Sequence, residues 1–225
     1  MTGFTQETFD FLAGIVAHNE KAWFDAHKAQ YERACIEPGK AFVAAVGPRL
    51  RELSPTVQFE PRVNASLWRI NRDVRFSKDK RPYKDHFDLW FWHGERKGWN
   101  EPGFWVRLTA GGVQMGTGMW GFEKEQMESF RESVVHPRSG KALLAAVAEV
   151  RAAGPYEIGE KTRKLMPKGY EAPEDRAEYL LYSGLSAGTH LPPEAAMADD
   201  FVEVMVTHFT NCWPVSRWLM QEVAG

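Results

Sequence analysis

The chain has 225 residues, of which 44% are hydrophobic and 26% charged, and a formal net charge of −2 at pH 7. This is ordinary globular composition with enough apolar residues for a sizeable core, and it gives no global attraction to nucleic acid or to anionic membranes. No run of about 18 apolar residues occurs and no basic segment leads into an apolar one at the N-terminus, which argues against membrane spanning and secretion.

The predicted elements begin with a short amphipathic helix behind Thr5 as N-cap, with Phe9, Leu12 and Val16 on one face, ending near His18-Asn19. Asn19 then caps a second helix carrying Trp23, Phe24, His27 and Tyr31. A third starts near Pro38, with Phe42, Val46, Leu50 and Leu53 inward, and Pro55 stops it. From Leu67 the period changes to two, which predicts strands over Leu67 to Asp73, His86 to His93, Phe104 to Ala110 and Val113 to Met119. Gly111-Gly112 makes the last two a hairpin.

Helices resume at Glu123, with Met127, Phe130 and Val134 as the apolar stripe and Pro137 closing it. A further helix carries Leu143, Val147 and Val150, and another carries Phe201, Val204, Met205, His208 and Phe209 ahead of Pro214. Residues 154–193, rich in Pro, Gly and charge, read as irregular and wrapping. The expected architecture is α+β: a single domain over 1–225, helical over 5–53, an antiparallel sheet of four or more strands within 64–120, and helical and irregular over 121–225.

The segment RINRDVRFSKDKRPYK holds Arg69, Arg72, Arg75, Lys78, Lys80, Arg81 and Lys84 against only Asp73 and Asp79. Arginine forks match phosphate and carboxylate oxygens, and lysines add mobile charge, so such a loop suits an anion. The competing reading is that Asp73, Asp79 and acids elsewhere, such as Glu123 or Glu174, pair with these cations and fasten the loop. Strand alternation places Phe87, Leu89 and Phe91 on the core face with Phe104, Val106 and Leu108. The opposite face takes His86, Asp88, Trp90, Trp92, Trp105 and Arg107, with Gly116 and Gly118 leaving room for a ligand or for another backbone. A second core filled by the tryptophans is the alternative.

Other chemistries find little support. Ser77 and Lys80 match S-x-x-K, but Pro82 argues for a loop where that pattern needs a helix. The seven histidines form no HExxH, and no GxxxxGK[ST] loop occurs, so neither a metal nor another cofactor is expected. Cys35 and Cys212 belong to no CxxC pair or Cys/His cluster, which fits a reducing cytoplasm.

Phe11-Leu12, Asn19, Trp23-Phe24, His27-Lys28 and Tyr31, then the run from Arg72 to Lys80 with Pro82-Tyr83-Lys84, and Pro167-Lys168-Gly169-Tyr170 carry a resemblance over nearly the whole chain. On these residues the chain resembles the DUF2461 family. His18, Lys21 and Arg81 depart mildly from that pattern. The resemblance implies a one-domain, bacterial-type intracellular protein and no assigned catalytic roles.

The expected function is recognition of a phosphorylated or carboxylated small molecule. Arg69, Arg72, Arg75, Lys78, Lys80, Lys84 and Arg107 would hold it against Trp90, Trp92 and Trp105, with Asp73, His86 or Asp88 as acid or base. An interaction module with the loop locked by internal ion pairs is the alternative, and nucleic-acid binding the least favoured reading.

Overall fold

A computed structural model of the chain describes residues 3–94, 102–159 and 161–224. Residues 1–2, 95–101, 160 and 225, which fall inside the expected spans 1–225, 64–120 and 121–225, lie outside the described residues. The strands are β1 (His86–Trp92), β2 (Gly103–Thr109), β3 (Gly112–Met119), β4 (Glu157–Ile158) and β5 (Leu185–Leu191). They form one antiparallel sheet in the order β1-β2-β3-β5-β4. The helices are α1 (Gln6–Ala17), α2 (Lys21–Tyr31), α3 (Glu37–Leu53), α4 (Lys124–Val135), α5 (Pro137–Ala153), α6 (Pro193–Met197) and α7 (Phe201–Glu222). The fold is thus α+β, as expected, and about half of it is helical. The backbone groups into two compact units: residues 1–91, 105–115 and 190–206, and residues 92–104, 116–189 and 207–225.

In the first unit, Thr5 precedes α1 in extended conformation and its N–H donates to Thr8 Oγ1 at 3.3 Å. Helix α1 buries Phe9 and Leu12 as expected, together with Phe11 and Ile15, while Val16 is half exposed and Ile15 takes its place in the inward stripe. Glu20, not Asn19, caps α2. A π-helical turn at Glu32–Ile36 runs α2 into α3 without a break and buries Ala34, Cys35 and Ile36. Phe87, Leu89 and Phe91 of β1 are fully buried. Tyr31 meets Phe87 edge-on at 6.2 Å.

The predicted strand from Leu67 to Asp73 does not form as a strand. It makes isolated antiparallel bridges at Leu67 with Leu89 and at Asn71 with Tyr83. Trp68 N–H donates to Asp88 O at 3.0 Å, Trp90 N–H to Ser66 O at 2.8 Å, and Lys84 N–H to Ile70 O at 2.8 Å. Pro82 accepts from Arg72 N–H at 2.8 Å but has no N–H to return, so the ladder cannot continue.

The second unit has a core of Phe130, Val134, Leu143, Val147, Val150, Tyr179, Leu180, Leu219 and Trp218, with Cys212 and Val215 from α7. Trp218 Nε1 donates to Ser139 O at 2.9 Å, so its polar edge is satisfied inside the core. Two expectations fail here. Residues 154–193 are not wholly irregular: Glu157 and Ile158 pair antiparallel with Gly188 and Ala187. The small residues of β5, LSAGTHL, carry too weak an apolar alternation to announce a strand. Pro214 lies inside α7 and does not end it. The buried Cys212, Val215, Trp218 and Leu219 around it supply packing that outweighs one lost backbone bond.

Gly118 settles one open alternative. Its φ is +138°, and a Cβ built there would sit 2.3 Å from Leu185 O. The space at Gly118 is taken by the backbone of β5.

Candidate anion-binding site

The sixteen-residue cationic segment divides into an outer arch and an inner cluster. The arch, residues 72–82, is closed at its base by the Arg72 to Pro82 backbone bond. Arg72 Nη1 also donates to Asp79 Oδ2 at 2.8 Å and to Arg81 O at 3.0 Å. Arg75 grips Asp73 side-on through Nε (3.0 Å) and Nη2 (2.6 Å), and Arg81 grips Asp79 through Nε (3.0 Å) and Nη2 (2.8 Å). Lys80 Nζ donates to Val74 O at 3.0 Å across the arch. Asp73 and Asp79 are both held below the usual carboxylate range, chiefly by hydrogen bonds from Arg75 and Arg81. Phe76 stands at the tip, 94% exposed, beside the Arg75 guanidinium.

The inner cluster is built on Asp88, which alternation on β1 places on the same face as His86 and Trp90. Asp88 is 2% exposed. Arg107 of β2 donates to it from Nε (2.7 Å) and Nη2 (3.2 Å). His86 Nε2 lies 3.2 Å and Lys84 Nζ 3.7 Å from Asp88 Oδ2. The other His86 nitrogen, Nδ1, is 2.7 Å from Asp85 Oδ1, so the imidazolium form satisfies both contacts by donating twice. Lys84 Nζ also lies 5.0 Å from the Trp68 ring centroid, a cation–π contact.

Burial pushes the Asp88 carboxyl up, but hydrogen bonds from His86 and Arg107 outweigh it and hold the group at about 2. A carboxylate held so low is a fixed counter-charge with too little basicity for a general base at neutral pH. Lys84 is also below its ordinary value, which in a lysine disfavours the charged form. Burial lowers it, and the charges of Arg107 and Arg69 lower it further against the attraction of Asp88. Arg107, Lys84 and His86 therefore share one buried carboxylate, and Arg69 adds a further charge nearby.

The other candidates are distributed as follows. Trp90 and Trp92 are 1% and 2% exposed, filling core on their face, while Trp105 is half-buried. Arg69 and Lys78 are exposed and form no ion pair among the described residues. Two residues escaped the sequence reading as parts of this region. Trp68 had no alternation partner to mark it. Asn19, expected as a helix cap, instead donates from Nδ2 to Tyr83 O and accepts from Tyr83 N–H, both at 3.0 Å. This pair of bonds imitates a strand pairing and pins the end of the arch to the helical layer. Among the described residues no group of three or more His, Cys, Asp and Glu is placed to hold a metal, and no helix is long and apolar enough to cross a membrane.

Fold and cluster together define an α+β protein whose sheet edge carries a cation-rich, carboxylate-anchored cluster under a salt-bridged arch. The chain belongs to the DUF2461 family, described as conserved hypothetical protein, with the match covering residues 7–218. Among curated proteins none matches the chain.

Proposed function

We propose that the protein binds a phosphorylated or carboxylated small molecule at Lys84, His86 and Arg107, with Asp88 as the buried anchor and Arg69 at the rim. The carrying observation is the imbalance at Asp88: one ionised carboxylate faces an arginine, a lysine and a histidine within 4.0 Å. Burial lowers Lys84 most, and the charges of Arg107 and Arg69 lower it further; an oxyanion there would offset that repulsion. Any acid–base step at the site falls to Lys84 or His86, and any nucleophilic step to Lys84, because Asp88 is locked as a counter-charge and Asp73 belongs to the arch. The two buried free thiols, Cys35 and Cys212, agree with a reducing, cytoplasmic setting for this activity.

The test is a thermal-shift series with phosphate, sulfate, sugar phosphates, nucleotides and dicarboxylates on wild type, Lys84→Ala and Arg75→Ala. A ligand at 100 times its Kd stabilises the fold by about 2.7 kcal/mol. The reading expects a selective shift that Arg75→Ala keeps and Lys84→Ala loses. A shift equal in both variants, or none with any anion, overturns it.

A second reading rests on the arch. Its arginines Arg72, Arg75 and Arg81 are all paired with Asp73 or Asp79, and Phe76 projects almost wholly exposed. That arrangement suits a structural loop presenting an aromatic anchor to a partner protein. Nucleic-acid stacking on Trp90 and Trp92 has no support from their burial.

A further inference from the structure

The second unit holds an arginine whose hydrogen bonding is incomplete. Arg131, on α4, has Nε and Nη2 buried without a hydrogen-bond partner. Its guanidinium lies 5.6 Å from the centroid of the Tyr170 ring. Nε and Nη2 form the side-on edge of the guanidinium, the same edge with which Arg75, Arg81 and Arg107 grip Asp73, Asp79 and Asp88. In those three arginines a carboxylate fills the edge; in Arg131 no group among the described residues does. Buried donors left unmade are costly, and the cost is larger for a charged group.

The neighbours do not complete it. Glu128, one helical turn back, makes no ion pair with Arg131 among the described residues. Arg176, the deeply buried arginine of this unit, shows the alternative outcome, since its Nε donates to Val134 O at 2.8 Å and its Nη1 to Asp175 Oδ1 at 3.2 Å. Burial lowers Arg131 below its ordinary value, and the charge of Arg163 lowers it again, against the attraction of Tyr170 and Glu128. Lys164 and Lys168 are exposed on the same segment as Arg163. The charge of Arg163 thus acts on a fork that no acid contacts among the described residues. The Pro167-Lys168-Gly169-Tyr170 run, which has no role in the Asp88 cluster, supplies the aromatic wall.

We propose that Arg131, Arg163 and Tyr170 form a second oxyanion site, independent of the Asp88 cluster. Its ligand is a group presenting two acceptor oxygens in one plane, as a carboxylate or a phosphate does. Arg131 contributes the fork, Tyr170 covers the guanidinium face, and Arg163 adds the second charge. The fork must open for the anion to enter, because Nε and Nη2 are buried; Gly169 beside Tyr170 has φ +83° and no atom within 4 Å of a built Cβ, so the backbone there is unencumbered.

The experiment follows the arginine Nε–H resonances of the full-length protein labelled with ¹⁵N-arginine, with Arg131 identified by the resonance lost in Arg131→Lys. The probes are inorganic phosphate and acetate, with sodium chloride at matched ionic strength. The Arg131 resonance is expected to move and saturate with one or both probes but not with chloride. Saturation should weaken about tenfold in Arg163→Gln, the factor for one lost charge-assisted contact, and stay unchanged in Lys84→Ala. Response to phosphate alone assigns a phosphoryl ligand, and response to acetate alone a carboxylate. A resonance unmoved by both probes, moved equally by chloride, or saturating at a concentration that follows Lys84→Ala overturns the proposal.

Discussion

The arch and the Asp88 cluster contain the same residue types and behave as opposites. In the arch, Asp73 serves Arg75 and Asp79 serves Arg81 two residues away, so each acid is matched by local sequence, and the charge left over, on Lys78 and Lys80, is exposed to water. At Asp88 one buried carboxylate serves Arg107, His86 and Lys84, drawn from two strands and a loop, and positive charge is in excess. A count of basic residues therefore says less about binding than the ratio of cations to acids at a given depth. Exposed pairs are screened by water, whereas the buried carboxylate has no solvent to replace its partners.

Four measurements test this contrast. Asp88→Ala should have the largest effect, about 3 kcal/mol in urea unfolding at pH 7, because it strands the partly buried charges of Lys84 and Arg107; a loss below about 1 kcal/mol would erase the distinction. The pH dependence comes next. The folded Asp88 sits at about 2, below its unfolded value, so its contribution is fully present above about pH 4 and is lost as pH falls toward 2. The stability gap between wild type and Asp88→Asn should thus be flat from pH 7 to about 4 and then close by about 2 kcal/mol. A gap that persists to pH 2 would show that the carboxylate's charge is not what stabilises.

Asn19→Ala should cost about 1–2 kcal/mol through its two bonds to Tyr83, with faster hydrogen exchange at the Tyr83 amide while the amides of α1 keep their protection. Arg75→Ala stands at the small end: it removes an exposed ion pair, and the melting temperature should not change measurably. A clear drop there would make the arch a stabilising element and weaken the contrast.

Much of this was legible in the chain itself. Period-two alternation over 86–93 assigned Phe87, Leu89 and Phe91 to the core and set His86, Asp88 and Trp90 on one face, because side-chain direction along a strand is a local property. The i, i+3, i+7 spacing of Met127, Phe130 and Val134 marked α4 for the same reason. Cation density in 69–84 marked a region but not its division, since ion pairing depends on which acids approach in space.

What only tertiary structure decided depends on distant backbone. Arg107 reaches Asp88 across neighbouring strands, Asn19 in the link between α1 and α2 holds Tyr83 in place of capping a helix, and β5 becomes a strand because sheet neighbours supply the hydrogen bonds its sequence does not advertise. Pro214 continues a helix because the surrounding core holds it there. The sequence by itself determined which residues alternate, which repeat at helical spacing and where charge concentrates, all of which are set by near neighbours. The folded chain decided which cations were matched and which were left in excess, because burial and partner distance are properties of the packed backbone.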